Sequence, residues 1–190
     1  MPEIIDFDAR PTAIDGLLLL TMKQVSDERG TVREFFRESA ITGAGLPALG
    51  PWRQVNVTAT RRGALRGLHA EEIVKLVAVV AGEAFAAYVD LRPQSGTYGK
   101  VVTVTLRPGD QVLVPKGVGN GFQATSEGGC QYPYCFDGEW TPGMAGAACT
   151  PLDPALGIDW PLPIDPDDPS QVSAKDRDAP LFSELEGRDR

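Results

Sequence analysis

What most restricts this chain is the way its apolar residues come in short runs, each cut off by glycine, proline or a charged cluster. Gly16–Met22, Thr31–Phe36, Ile73–Val80, Ala84–Leu91, Lys100–Leu106, Gln111–Pro115, Phe122–Thr125 and Cys130–Phe136 are about strand length and rich in β-branched or aromatic residues. The segments between them, such as Asp27-Glu28-Arg29-Gly30, Arg107-Pro108-Gly109-Asp110 and Ser126-Glu127-Gly128-Gly129, carry turn-forming residues. With 21 Gly and 16 Pro, the chain favours an all-β fold with many tight connections. Only Glu38–Leu49 suggests a helical turn or two. The length of 190 residues suits a single domain over 1–190, with a core from about 16 to 140 and a Pro-rich segment from 141 to 190.

Charge and composition exclude several roles. A formal net charge of −8 repels a phosphate backbone, so nucleic acid is not an expected partner, although a local Arg/Lys cluster could hold a small phosphorylated ligand. The start, Met1-Pro2-Glu3-Ile4-Ile5-Asp6, is acidic where a signal peptide is basic, and no run approaches the ~20 apolar residues of a membrane span. A cytoplasmic protein without membrane association is therefore expected. Cys130, Cys135 and Cys149 are odd in number and lack metal-ligand spacing, which predicts free thiols.

Gly63-Ala64-Leu65-Arg66-Gly67-Leu68-His69 holds the one histidine of the chain. In an ideal strand Arg66 and His69, three apart, point to opposite faces. Both can serve one site only if Gly67 supplies a bulge or kink. Trp52–Thr60 alternates, with Gln54, Asn56, Thr58 and Thr60 on one face and Val55, Val57 and Ala59 on the other. The polar face suits either solvent or a pocket wall that binds a polyhydroxylated ligand. Lys75 projects from an otherwise apolar face, either at a strand end, reaching for water, or into a polar cavity. Tyr132, Tyr134 and Phe136 share a face. Pro133 between them lacks a ladder donor and predicts an edge strand, while Lys116–Gly121 reads as a loop. Ser173-Ala174-Lys175-Asp176 fits a helix start, with Asp176 as a capping acid.

One histidine is too few for a metal-binding β-barrel site, and no nucleophile elbow, P-loop or dinucleotide fingerprint is present. What remains is proton chemistry. A histidine can remove a proton next to a carbonyl when a carboxylate orients it and a cation stabilises the enolate; a tyrosine on the far side can return the proton and invert the carbon.

In order along the chain, Asp27-Glu28-Arg29-Gly30, Gln54-Val55-Asn56, Leu65-Arg66-Gly67-Leu68-His69, Lys75-Leu76-Val77, Val89-Asp90-Leu91-Arg92, Val114-Pro115-Lys116-Gly117, Gly121-Phe122, Leu156-Gly157-Ile158-Asp159-Trp160-Pro161 and Ser173-Ala174-Lys175-Asp176 resemble the dTDP-4-dehydrorhamnose 3,5-epimerase family. The resemblance implies a cupin-like jelly-roll barrel or sandwich with short peripheral helical turns, and a homodimer that exchanges N-terminal strands. No metal and no organic cofactor is implied. The implied substrate is a dTDP-sugar, dTDP-4-dehydro-6-deoxyglucose, epimerised at C3 and C5. His69 falls on the family's base and Asp176 on its paired carboxylate, which replaces the capping role. Tyr134 matches the acid, with Tyr132 as the fallback. Arg29, Gln54, Asn56, Arg66 and Lys75 fall on substrate-contacting positions, and Glu34, Asn120 and Tyr132 complete the expected binding set.

The sequence departs from the family pattern in four ways. Asn120 replaces a histidine, Ala70 and Glu71 replace an aromatic and a Gln, Val32 replaces an aromatic, and the loop from His69 to Lys75 is shorter. These leave the proton-transfer set intact and bear on the nucleotide contacts and on whether one or both carbons are epimerised. A 3-only or 5-only epimerase of another deoxysugar, and a non-catalytic sugar-nucleotide-binding cupin, are the alternatives.

Overall fold

Period-two alternation sorts a strand's side chains onto two faces, and in the computed structural model of this chain both faces of two large sheets find cover. The structure describes residues 2–185; the last five positions of the expected C-terminal segment lie outside the described residues. The strands are β1 (Glu3–Ile5), β2 (Asp8–Pro11), β3 (Leu18–Thr21), β4 (Gln24–Asp27), β5 (Gly30–Arg33), β6 (Gln54–Thr60) and β7 (Leu65–Glu71). They continue as β8 (Lys75–Ala78), β9 (Ala84–Asp90), β10 (Val101–Leu106), β11 (Asp110–Val114), β12 (Val118–Ala124), β13 (Cys130–Phe136) and β14 (Gly146–Ala148). Three short helices, α1 (Glu38–Gly43), α2 (Ala174–Arg177) and α3 (Phe182–Leu185), and one 3-10 turn at Pro154–Leu156 lie around them.

Five strands form one antiparallel sheet in the order β10-β9-β12-β7-β14, and six form the other in the order β2-β3-β11-β8-β13-β6. The expected all-β jelly roll is thus present, with neighbours in space that are distant in sequence. Val77, Val112, Val114 and Tyr132 from the larger sheet meet Ala84, Ala86, Tyr88 and Phe122 from the smaller, and this packing is the central core. The outer face of the five-stranded sheet, carrying Leu68, Ala70, Ala87 and Val89, is covered by Leu156, Ile158, Trp160 and Phe182 of the C-terminal stretch. On the outer face of the six-stranded sheet, Leu20, Leu76 and Cys135 pack against Ile41 of α1 and the aromatic rings of Phe35, Phe36 and Trp52. A third, three-stranded sheet, β1-β4-β5, stands apart and exposes Ile4, Ile5, Val25 and Val32.

The local expectations fare unevenly. α1 falls inside the helical stretch read from Glu38 onward. β1, β2, β4 and β14 are three or four residues long and mix charged, small or proline residues, so they carry no readable alternation. Lys116–Gly121 is not all loop: β12 already begins at Val118, and its glycines are held extended by pairing to β9 and β7. Pro133 does not mark an edge either, because β13 runs between β8 and β6. Its missing donor points to the β8 side, where the Tyr134↔Val77 pair ends the regular ladder and only the Ala81↔Gln131 bridge follows. An interior proline is tolerated there because no ladder bond is lost.

The required irregularity at Gly67 is present. His69 pairs with Asn120 and Arg66 with Phe122, so Gly67 and Leu68 together oppose the single residue Gly121. This extra residue is a β-bulge, and it turns Arg66 onto the same side as His69. Gly67 has φ 116°, and a Cβ there would lie 2.4 Å from Gly121 Cα. A Cβ on Gly121 would in turn lie 2.8 Å from the Arg66 carbonyl oxygen. Both positions therefore require glycine. Gly67→Ala and Gly121→Ala are each expected to destabilise the fold by about 2 kcal/mol or more, measured by denaturant unfolding; stability within 0.5 kcal/mol of wild type would show that the strands can part without cost.

Candidate active site

Between the two sheets, at one end of the core, lies a cavity of about 310 Å³ whose walls are polar where the rest of the interior is apolar. β6 explains one wall. Its residues alternate half-buried and exposed, but the inward ones are Gln54, Asn56 and Thr58, while Val55 and Val57 face out at 60% and 63% exposure. The strand is amphipathic in the inverse sense, and Asn56 and Thr58 line the cavity with Gln54 beside them. Gln54 Nε2 donates to Asn56 Oδ1 at 3.2 Å, and Gln54 Oε1 accepts from the backbone N–H of Trp140 at 2.8 Å. These bonds fix both amides and place the Trp140 ring at the cavity mouth.

β7 supplies Arg66, His69 and Glu71 to the same cavity. Arg66 Nε donates to Thr60 Oγ1 at 3.2 Å. His69 Nε2 donates to Asp176 Oδ1 at 2.7 Å, which leaves Nδ1 as the lone-pair nitrogen of the ring. Asp176 comes from α2, more than a hundred residues later, and its side chain is 7% exposed. Ser173 does cap α2, its Oγ accepting from the Asp176 N–H at 3.1 Å. The carboxylate of Asp176, however, turns to His69 and to the Gly67 N–H at 3.5 Å. Burial works to raise this carboxyl, but the bonds from His69, Ser173 and Gly67 outweigh it and hold the group below its ordinary value of 3.8.

Lys75, read from sequence as an anomaly on an apolar face, is 4% exposed and reaches into the cavity. Its ammonium donates to the His69 carbonyl oxygen at 3.0 Å and forms an ion pair with Glu71. The aromatic face of β13 forms the opposite wall. Tyr132 is buried and stacked flat on Phe122, with ring centroids 3.9 Å apart, and Asn120 Nδ2 lies 3.4 Å from its hydroxyl. Burial pushes the Tyr132 phenol up to about 12. Tyr134 is only half-buried; its hydroxyl oxygen accepts from Thr58 Oγ1 at 3.2 Å, so its own proton is free for another acceptor.

The structure thus gathers His69, Asp176, Tyr134, Tyr132, Asn56, Arg66, Lys75 and Asn120 around one space, with Gln54 beside it. It does not bring Arg29 or Glu34 there. Arg29, in the β4–β5 turn, is spread along Asp27, and Glu34 pairs with Arg37. Sequence reasoning missed five lining residues: Glu71, Phe122, Phe136, Trp140 and Lys175. Glu71 was legible as the residue two past His69 on the same strand face; Trp140 and Lys175 had no periodic signal. A larger cavity of about 690 Å³ lies beyond Ala70 on the other face of β7, but Arg92 in its wall is committed to Asp90 and no histidine reaches it. Among the described residues, no group of three or more His, Cys, Asp or Glu side chains is placed to hold a metal ion, and no helix is long and apolar enough to cross a membrane.

A paired histidine and carboxylate facing a phenol across a polar pocket of a jelly roll define an acid–base enzyme of the carbohydrate epimerase class. Residues 11–184 match the dTDP-4-dehydrorhamnose 3,5-epimerase family, and the chain belongs to it. It is 35% identical over 175 residues to the dTDP-4-dehydrorhamnose 3,5-epimerase of Methanothermobacter thermautotrophicus, covering 87% of this chain and 89% of that one. Its fold is similar to that of NovW, a 4-keto-6-deoxy sugar epimerase from the novobiocin gene cluster of Streptomyces spheroides, with TM-score 0.84, 31% identity and 97% and 92% of the two chains covered. It is also similar to ChmJ, a 3'-monoepimerase from Streptomyces bikiniensis in complex with dTDP-quinovose, with TM-score 0.80, 31% identity and coverage of 92% and 87%.

The low carboxyl value of Asp176 has a definite sign. A depressed carboxyl contributes stability above its ordinary value, and that contribution is lost as pH falls through the folded-state value. Asp176→Asn is therefore expected to be less stable than wild type at pH 7 by about 1–3 kcal/mol. In denaturant titrations across pH, this deficit should narrow as pH falls below 3.8. A deficit that widens in acid would overturn the assignment.

Proposed function

We propose that this chain epimerises dTDP-4-dehydro-6-deoxyglucose at C3 and C5, yielding dTDP-4-dehydro-L-rhamnose for dTDP-rhamnose biosynthesis. The observation that carries it is the His69–Asp176 pair at 2.7 Å, set across one cavity from Tyr134 in a member of this family. His69 removes a proton from the carbon next to the C4 ketone. Asp176, itself buried, stabilises the imidazolium that results. Arg66 and Lys75 meet the charge that develops on the ketone oxygen, and Tyr134 returns a proton on the opposite face of the sugar, which inverts the centre. Asn56 and Asn120, with Gln54 behind them, offer the amides that orient sugar hydroxyls.

A second reading, epimerisation at C3 alone, is favoured by the likeness to a 3'-monoepimerase and by the Glu71 and Asn120 departures. Incubation with the substrate in deuterated water, read by NMR, separates the two. Label at both C3 and C5 supports the first, label at C3 alone the second, and label at C5 alone or none overturns both. His69→Asn is expected to slow exchange by about 10³-fold or more. Tyr134→Phe should leave wash-out of label measurable while lowering product formation by about 10²-fold. Tyr132→Phe removes a buried hydroxyl with one long contact and should cost less than tenfold; a larger loss with Tyr132→Phe than with Tyr134→Phe reverses their roles.

The proposal extends to a homodimer in the cytoplasm. β6 ends its sheet with an open edge and exposed Val55 and Val57, and the separate three-stranded sheet offers Ile4, Ile5, Val25 and Val32. Exchange of these strands would carry Arg29 and Glu34 to the partner's cavity, the role the resemblance implies for them. Three buried, unpaired cysteines suit a reducing compartment. Sedimentation is expected to give twice the chain mass, and Val57→Glu to give a monomer with lost activity; a fully active wild-type monomer overturns the exchange.

A further inference from the structure

We propose that Glu71 is a positioning residue of this reaction, holding the Lys75 ammonium group beside His69 so that a charged donor meets the ketone oxygen. The inference rests on the epimerase reading above and adds a residue to it. Lys75 stands on the inner face of β8 with Val77 and Val79, where its flexible side chain has little water to lean on. An ammonium has three N–H bonds. One is given to the His69 carbonyl oxygen and one to the Glu71 carboxylate, which leaves the third for the cavity. The two fixed bonds turn a mobile cation into a directed one.

The titratable and charged groups that share the cavity with Lys75 are Arg66, His69 and Glu71 from β7, Tyr132 and Tyr134 from β13, and Lys175 and Asp176 from α2. Arg66 and Lys175 are cations and oppose a charge on Lys75. Asp176 is committed to His69. Glu71 is therefore the anion left to balance the lysine, and its place two residues beyond His69 on the same strand face puts it within reach. Burial drives the Lys75 ammonium below its ordinary value of 10.5, and the Glu71 carboxylate works against that loss. Without the carboxylate, the amine beside the developing enolate charge would lose its proton more readily, and a neutral amine is the weaker donor.

Lysine labelled with carbon-13 at Cε gives the test, since each resonance moves as its own ammonium titrates. In Glu71→Gln, the Lys75 resonance is expected to titrate about 1 pH unit or more below its wild-type position. The alkaline limb of kcat/KM for deuterium exchange should move the same way, and Glu71→Asp should restore most of both shifts. An unmoved Lys75 titration in folded Glu71→Gln overturns the proposal. Should that variant not fold, the wild-type titration decides: a Lys75 that is neutral below pH 7 with Glu71 in place overturns it as well, and one that stays charged supports it. The titration is read without substrate, so it is separate from the epimerase reading. Wild-type protein without exchange overturns that reading; an unmoved titration overturns this one.

Discussion

Two backbones meet at Gly67 and Gly121 more closely than any side chain allows, and the site depends on that contact. A regular β7 would send Arg66 and His69 to opposite faces, one toward the cavity and one into the C-terminal cover. The extra residue shifts the alternation by one, so that both reach the same space. The same bulge aims the Gly67 N–H at the Asp176 carboxylate, 3.5 Å away. One local departure from strand geometry thereby places Arg66, His69 and the Asp176 carboxylate that pairs with His69.

Around it, the cavity is kept polar by choices that oppose ordinary patterning. β6 turns amides and threonines inward and valines outward, and β8 puts a lysine on a face that otherwise carries Val77 and Val79. The polar groups at the cavity are held by others: Gln54 by Asn56 and Trp140, Lys75 by Glu71 and a carbonyl, Asp176 by His69. Satisfied in this way, such groups cost far less than bare ones.

Much of the fold was legible because it follows from short-range chemistry. Apolar runs of strand length between turn residues required an all-β chain, and β9, β10 and β11 stand within two residues of where those runs placed them. The failures have physical causes as well. β14 is a bare Gly-Ala-Ala and becomes a strand only by pairing with β7. Pro133 signals an edge under local rules, yet it sits inside a sheet because the β13–β8 pairing ends at Tyr134, one residue before it. Asp176 reads as a helix cap until the partner that outbids the helix is visible.

The sequence by itself determined the strand inventory of the core, the need for a bulge at Gly67, and, through the ordered motifs, the family. These are properties of residues near one another in the chain, where alternation, turn chemistry and motif order act. Tertiary structure alone decided which face of β6 is inside, that Lys75 is paired with Glu71, and that Tyr134 is half-buried at the cavity while Tyr132 is buried flat against Phe122. It also left Arg29 and Glu34 outside the space they were assigned to. Each of these depends on which strands lie side by side, and contacts between residues far apart in the chain set that arrangement.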